Sequence, residues 1–169
     1  MQYGAVIIVI LVAMFFVVKR GRAFRASGEA DERIWFYDQS GHRLYAVPAD
    51  TLPPDDAVGG EFGDGVRAVV VAFKKNERDL RQLKIAYLES YTPELKGTLS
   101  KILAAQAAHK NYDGPVPARN SPYFQTNDLV KRLDETNWYA ASSSEGQKIM
   151  SEWRSWRGPE GQRPLVSEP

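Results

Sequence analysis

From Ala5 to Val18 the chain carries fourteen apolar residues without a break, and Met1 to Gly4 add no charge before them. Eighteen helical residues reach about 27 Å, close to the thickness of a bilayer's hydrocarbon core. Backbone groups in lipid have to bond within their own segment, so this β-branched run predicts a transmembrane helix over residues 1–20, followed by a juxtamembrane linker over 21–32. Lys19 and Arg20 close the small length deficit by snorkelling to the headgroups. A cleaved signal peptide fits less well. It wants basic residues ahead of the apolar stretch, and the nearest small-x-small site, Gly28-Glu29-Ala30, lies beyond four basic residues. A pilin-type start would need an early acidic residue, and none is present.

After the linker the pattern shortens to strand length. Ile34–Asp38 and Arg43–Val47 are aromatic-rich runs separated by Gln39-Ser40-Gly41-His42, which predicts a β-hairpin with Gly41 supplying a positive φ. Residues 48–65 hold three prolines and five acidic residues and read as a loop. Val66–Phe73 is a strand buried on both faces in its middle. Leu83–Leu88 is ambiguous: Leu80, Leu83, Tyr87, Leu88 and Tyr91 fit a helix, while Leu83, Ile85 and Tyr87 alternate as in a strand. A strand hairpinned to Val66–Phe73 is the favoured reading. Thr92 as N-cap and Pro93 at the first helical position open a helix with Leu95, Leu99, Ile102 and Leu103 on one face. Residues 111–125 read as a loop, and Leu129–Leu133 as a short strand or helical turn. Ser144 and Gln147 match a capping box for a last helix carrying Ile149, Met150, Trp153 and Trp156. Residues 158–169 read as a flexible tail. The expected fold class is therefore α+β: a transmembrane helix, then a small antiparallel sheet domain over 33–157 with two packed helices.

Charge refines this picture. Lys19, Arg20, Arg22 and Arg25 follow the apolar run, and the first acidic residue is Glu29. By the positive-inside rule that basic flank, and the domain behind it, face the cytoplasm across a cell membrane. Removing those four residues from the net charge of +1 leaves −3 for residues 26–169, which offers nucleic acid no electrostatic footprint.

Candidate chemistry is sparse. The chain has no cysteine, which excludes disulfides, thiolate metal sites and cysteine nucleophiles. His42 falls on the hairpin turn and His109 at a helix end, so neither is placed for a triad. The carboxylates stand in polar contexts that would not raise their pKa for acid–base work. Gly59–Gly65 is glycine-rich but follows an acidic, proline-rich stretch instead of a strand, and it lacks a phosphate-binding lysine. No catalytic set, metal site or cofactor is expected. Asp50, Asp55, Asp56, Glu61 and Asp64 lack the spacing of a calcium loop, and a solvated acidic loop is the simpler reading. The aromatics of the hairpin remain. Trp35, Tyr37 and Tyr45 at alternate positions form a candidate partner surface, if the sheet is not covered on both faces by helices.

Phe36-Tyr37-Asp38, Gly41, Leu44 to Asp50, Pro53-Pro54, Gly65–Phe73, Tyr87–Glu94 and Ser143–Met150 together resemble a group of single-pass membrane proteins of planctomycete-type bacteria. The resemblance spans most of residues 34–150. It implies the hairpin and a strand at Leu83–Leu88, and it implies no activity. Some members of that group carry cysteines where this chain has Lys74 and Lys75, so a metal or redox role would not transfer. The sequence thus points to a membrane-tethered, non-catalytic interaction or scaffold module whose partners are the lipid bilayer and a protein at the membrane. The alternative is a small-ligand or ion-binding domain using the acidic loop 48–65.

Overall fold

The computed structural model describes residues 32–56 and 63–169. The apolar run, its basic cluster (Lys19, Arg20, Arg22, Arg25) and the linker up to residue 31 lie outside the described residues, as does Glu61 of the acidic loop. Among the described residues no helix is long and apolar enough to cross a membrane.

Residues 33–169 form one unit. It is an antiparallel sheet with helices, as the α+β expectation requires. Seven strands, β1 (Arg33–Asp38), β2 (Arg43–Pro48), β3 (Gly65–Ala72), β4 (Lys84–Tyr91), β5 (Asp128–Lys131), β6 (Tyr139–Ala140) and β7 (Leu165–Val166), are joined by three helices. These are α1 (Pro93–Ala107), α2 (Pro122–Asn127) and α3 (Ser144–Glu152). The strand order is β2-β1-β3-β4-β5-β6, with β7 on β3 as well.

The β1–β2 turn uses its glycine differently from the expectation. The positive φ, 48°, falls on His42, and Gly41 does not share it. Gly41 N donates to Asp38 Oδ1 at 2.7 Å, and a Cβ at Gly41 would stand 2.6 Å from Asp38 Oδ2. The glycine is needed for close approach to a side chain that folds back over the turn.

β3 buries Val66, Ala68, Val70, Val71 and Ala72, which explains its near-continuous apolar run. The ambiguity over Leu83–Leu88 resolves as a strand, and the cause of the ambiguity is visible. Tyr87 pairs with Val69 but Ile85 pairs with Val70, so Ala86 is an extra residue, a β-bulge. The bulge puts Ile85 and Leu88, three apart, on one face of the sheet. That spacing imitates a helix.

Thr92 caps α1 as expected, its Oγ1 accepting from Leu95 N, and α1 buries Leu95 and Ile102. Lys96 Nζ donates to the Pro54 carbonyl, tying α1 to the segment after β2. The loop expected at 111–125 contains the start of α2. Ser121 and Pro122 repeat the Thr92-Pro93 signal, with Ser121 Oγ accepting from Phe124 N at 3.2 Å. Six residues are too few to show a helical period, so among the described residues three α-helices stand where two packed helices were expected. The cap of α3 lies one residue before the expected Ser144: Ser143 Oγ accepts from Gly146 N at 3.0 Å. Gln147 Nε2 instead donates to Ala141 O at 2.6 Å, so no capping box forms. Residues 158–169, expected as a flexible tail, contain β7, which pairs Leu165 and Val166 with Ala72 and Val71. Ser167 N extends this to Val70 O at 2.8 Å.

The helices gather on one face of the sheet. Tyr91 packs with Leu95 of α1 and Phe124 of α2, and Val130 packs with Ile149 of α3. By register both strand residues share a face with Glu89, Arg67 and Phe36. On the other face Tyr37, Val66, Ala68, Val70 and Leu88 form a separate cluster with Trp35, Leu44, Leu83, Ile85 and Trp138.

Two helical glycines test this packing in opposite directions. A Cβ on Gly146 would come 2.2 Å from the Ala140 carbonyl oxygen, whereas one on Gly97 meets nothing within 4 Å. Gly146→Ala is expected to destabilise the protein by about 1–3 kcal/mol, as overpacking against backbone does. Gly97→Ala is expected to stabilise it by about 0.5–1 kcal/mol through helix propensity alone. Urea unfolding of the two variants checks both; shifts of the same sign would contradict the packing of α3 against β6.

A candidate binding cleft between the first helix and the sheet

On the helix-covered face a cavity of about 280 Å³ opens between α1 and the strands. Arg67 of β3 and Tyr91 of β4 lie on its sheet side, and Leu99, Ile102 and Leu103 line it from α1. Leu52 and Pro53 contribute from the segment after β2, Pro117 and Arg119 from the segment after α1, and Phe124 from α2. Local signals explain how the helix comes to stand there. The Thr92-Pro93 cap starts α1 directly at the end of β4, and Leu95 and Ile102 turn its apolar stripe toward the strands.

Asp50, Arg67 and Arg119 are the charged residues of its lining, and Arg67 belongs to a charged row on the sheet beside it. Arg67 and Glu89 are direct cross-strand partners, and Arg67 Nη1 stands 3.3 Å from Glu89 Oε2. Arg119 has no ion-pair partner among the described residues, and Asp50, also lining the cleft, makes no side-chain hydrogen bond there. Asp128, the cross-strand partner of Tyr91, is the unusual member. Its Oδ1 is buried without a hydrogen bond. Burial first, and then the charge of Glu89, push its carboxyl up to about 7, against the opposing pull of Arg67 and Arg119. Burial and the same Glu89 also raise the hydroxyls of Tyr87 and Tyr91.

Sequence reading missed this group. Asp128 stands in Thr126-Asn127-Asp128, a polar context along the chain, and only the pairing of β5 with β4 encloses it. The expectation that no carboxylate sits in an apolar setting is overturned at Asp128. The one available signal was its position directly before the apolar pair Leu129-Val130.

The aromatic set does not assemble as one surface. The hairpin register opposes Phe36 to Tyr45 and Tyr37 to Leu44, so Tyr45 shares a face with Phe36, away from Trp35 and Tyr37. Tyr45 packs against Phe36 with ring centroids 6.1 Å apart, and its hydroxyl is buried. Tyr37 is buried in the core, its hydroxyl 3.1 Å from His42 Nδ1. Trp35 is half-buried at the edge of its cluster, and Tyr45 is half-buried on the other face.

The acidic loop is used locally. Asp55 forms a bridge with Gly65, Asp64 Oδ2 accepts from Ser40 N at 2.7 Å, and Asp56 Oδ1 accepts from Gly63 N at 3.3 Å. Among the described residues no group of three His, Asp or Glu side chains could hold a metal ion. His109 is exposed just beyond α1, with a φ of 52°.

The Asp128 environment has a definite pH signature. The folded-state pKa lies above the unfolded value, so the stabilising contribution is complete at acid pH and is lost as pH rises through about 7. Between about pH 5 and pH 8 the wild type is expected to lose about 4 °C or more in melting temperature relative to Asp128→Asn, the order of shift that 1 kcal/mol produces in a domain of this size. Melting curves of both proteins across that range check it; parallel curves would show that Asp128 is not held in a desolvated site.

No protein-family model matches the chain, and no similar curated protein or solved structure was found in the comparisons, so the chemistry of the cleft rests on its own residues.

Proposed function

We propose that the protein is a membrane-tethered, non-catalytic binding module in which the cleft beneath α1 receives an apolar side chain of a protein partner. The run 1–20 is the anchor, and Lys19, Arg20, Arg22 and Arg25 orient it with the domain on the cytoplasmic side. The resemblance to single-pass membrane proteins of planctomycete-type bacteria supports the same architecture. The observation that carries the binding reading is the cleft itself. Its walls are apolar, its volume of about 280 Å³ suits one or two side chains, and Asp50 and Arg119 line it with opposite charges. A carboxylate and a guanidinium near one apolar hollow complement the donor and acceptor of a peptide backbone flanking an anchor residue.

A second reading, a small amphipathic ligand, is favoured by one specific feature. Ala49 to Pro53, the first part of the acidic loop, form one wall of the cleft.

A photo-crosslinking residue at Leu103, in the full chain in its membrane, is expected to capture one specific partner, with the yield reduced about tenfold by Arg119→Glu. Crosslinks no more specific than those from Glu94, outside the cleft, would remove the partner reading. A rise in melting temperature with a member of a small-molecule panel, abolished by Leu103→Trp, would support the second reading in its place.

A further inference from the structure

One end of the sheet collects three features distant in sequence. β1 begins there at Arg33, because the register Arg33 with Pro48 and Phe36 with Arg67 sets its start beside the last residues of β3. β7 covers the same stretch of β3 at Val71 and Ala72. The β3–β4 connection, residues 73–83, also turns there. A surface hollow of about 690 Å³ takes its walls from all three, among them Trp35, Leu80, Leu83 and Val166.

Three apolar side chains meet solvent at this end. Leu80 is 54% exposed, Leu165 48% and Val166 61%. Arg33, Lys74, Lys75 and Arg78 are exposed around them. Glu77, Glu168 and the Asp79–Arg81 ion pair are interspersed, so the rim is mixed in sign. Clustered apolar side chains with long basic side chains at the rim suit the boundary between headgroups and acyl chains, where leucine and valine enter and lysine snorkels.

We propose that this end of the sheet is a bilayer-docking face, with Leu80, Leu165 and Val166 entering the interface of the membrane that holds residues 1–20. The inference rests on the anchor reading given above. Where the preceding chain joins the domain selects lipid as the occupant: residues 1–31 lead into β1 at this end. Residues 21–32 are the whole of the chain between the run 1–20 and Arg33. Attachment to an anchor raises the effective concentration of such a face at the bilayer, so a face too weakly apolar to bind vesicles from free solution docks when attached. The two ends of β3 lie about 26 Å apart along the strand.

The absence of cysteine makes the test direct, since one introduced cysteine carries one label. The full chain is reconstituted in phosphatidylcholine–phosphatidylglycerol vesicles with an environment-sensitive fluorophore at Ile10→Cys, Leu80→Cys, Val166→Cys or Glu94→Cys, the last at the far end of the sheet. Labels at positions 80 and 166 are expected to show about threefold stronger quenching by spin-labelled lipid, and about threefold weaker quenching by iodide, than the label at position 94. If position 10 is not quenched by lipid, the anchor reading fails and the docking face fails with it. If position 10 is quenched while 80 and 166 behave like 94, the anchor stands and the docking face is overturned. Shielding of 80 and 166 from both quenchers also overturns it, in favour of a protein contact.

Discussion

The central constraint is that β3 must have both of its edges filled. A strand whose side chains are buried has no water to satisfy its backbone, so each N–H and C=O along it needs a partner. β4 supplies one edge along nearly the whole strand. The other edge is shared: β1 covers residues 65–67 and β7 covers 71–72. This division explains why the C-terminal segment is drawn into the sheet despite a polar, proline-containing sequence. Without it the buried end of β3, at Val71 and Ala72, would keep unpaired groups.

The same pairing makes the candidate site. Arg67 and Glu89 face each other because β3 and β4 are in that register, and β5 then sets Asp128 opposite Tyr91. Two carboxylates on one partly desolvated face repel, and the single fixed guanidinium of Arg67 is closely paired with only one of them. Asp128 is left to hold its proton near neutrality. A second charged cluster has a different character. Arg132 donates to Glu135, Glu145 and Glu152 at 2.6 to 2.8 Å, joining the end of β5 to α3. It is more exposed than the Asp128 site and reads as a tie between elements, since the distances are short and each guanidinium nitrogen has an acceptor.

Much of the fold was legible along the chain. The hairpin, the β3 strand and the Thr92-Pro93 helix start each rest on contacts within a few residues, and each stands where the pattern put it. The errors have local causes too. The bulge at Ala86 gave β4 a helix-like spacing, and α2 was too short to show any period although Ser121-Pro122 announced it. Choosing Ser144 in place of Ser143 followed from seeking a capping box where the cap is a lone serine. The aromatic set failed as a group for another reason. Assigning Tyr45 to the face of Trp35 requires the hairpin register, and alternation within each strand does not supply it.

The sequence by itself determined the main strand runs and the Thr92-Pro93 cap, the absence of thiol chemistry, and an N-terminal run of fourteen apolar residues. Those properties depend on near neighbours and on composition. Only the tertiary structure decided that the helices share one face, that a cleft opens beneath α1, that Asp128 is desolvated beside Glu89, and that the C-terminus completes β3. Each of these arises between residues tens of positions apart. Desolvation and cavity shape are properties of the enclosed space, which exists only once the strands have paired.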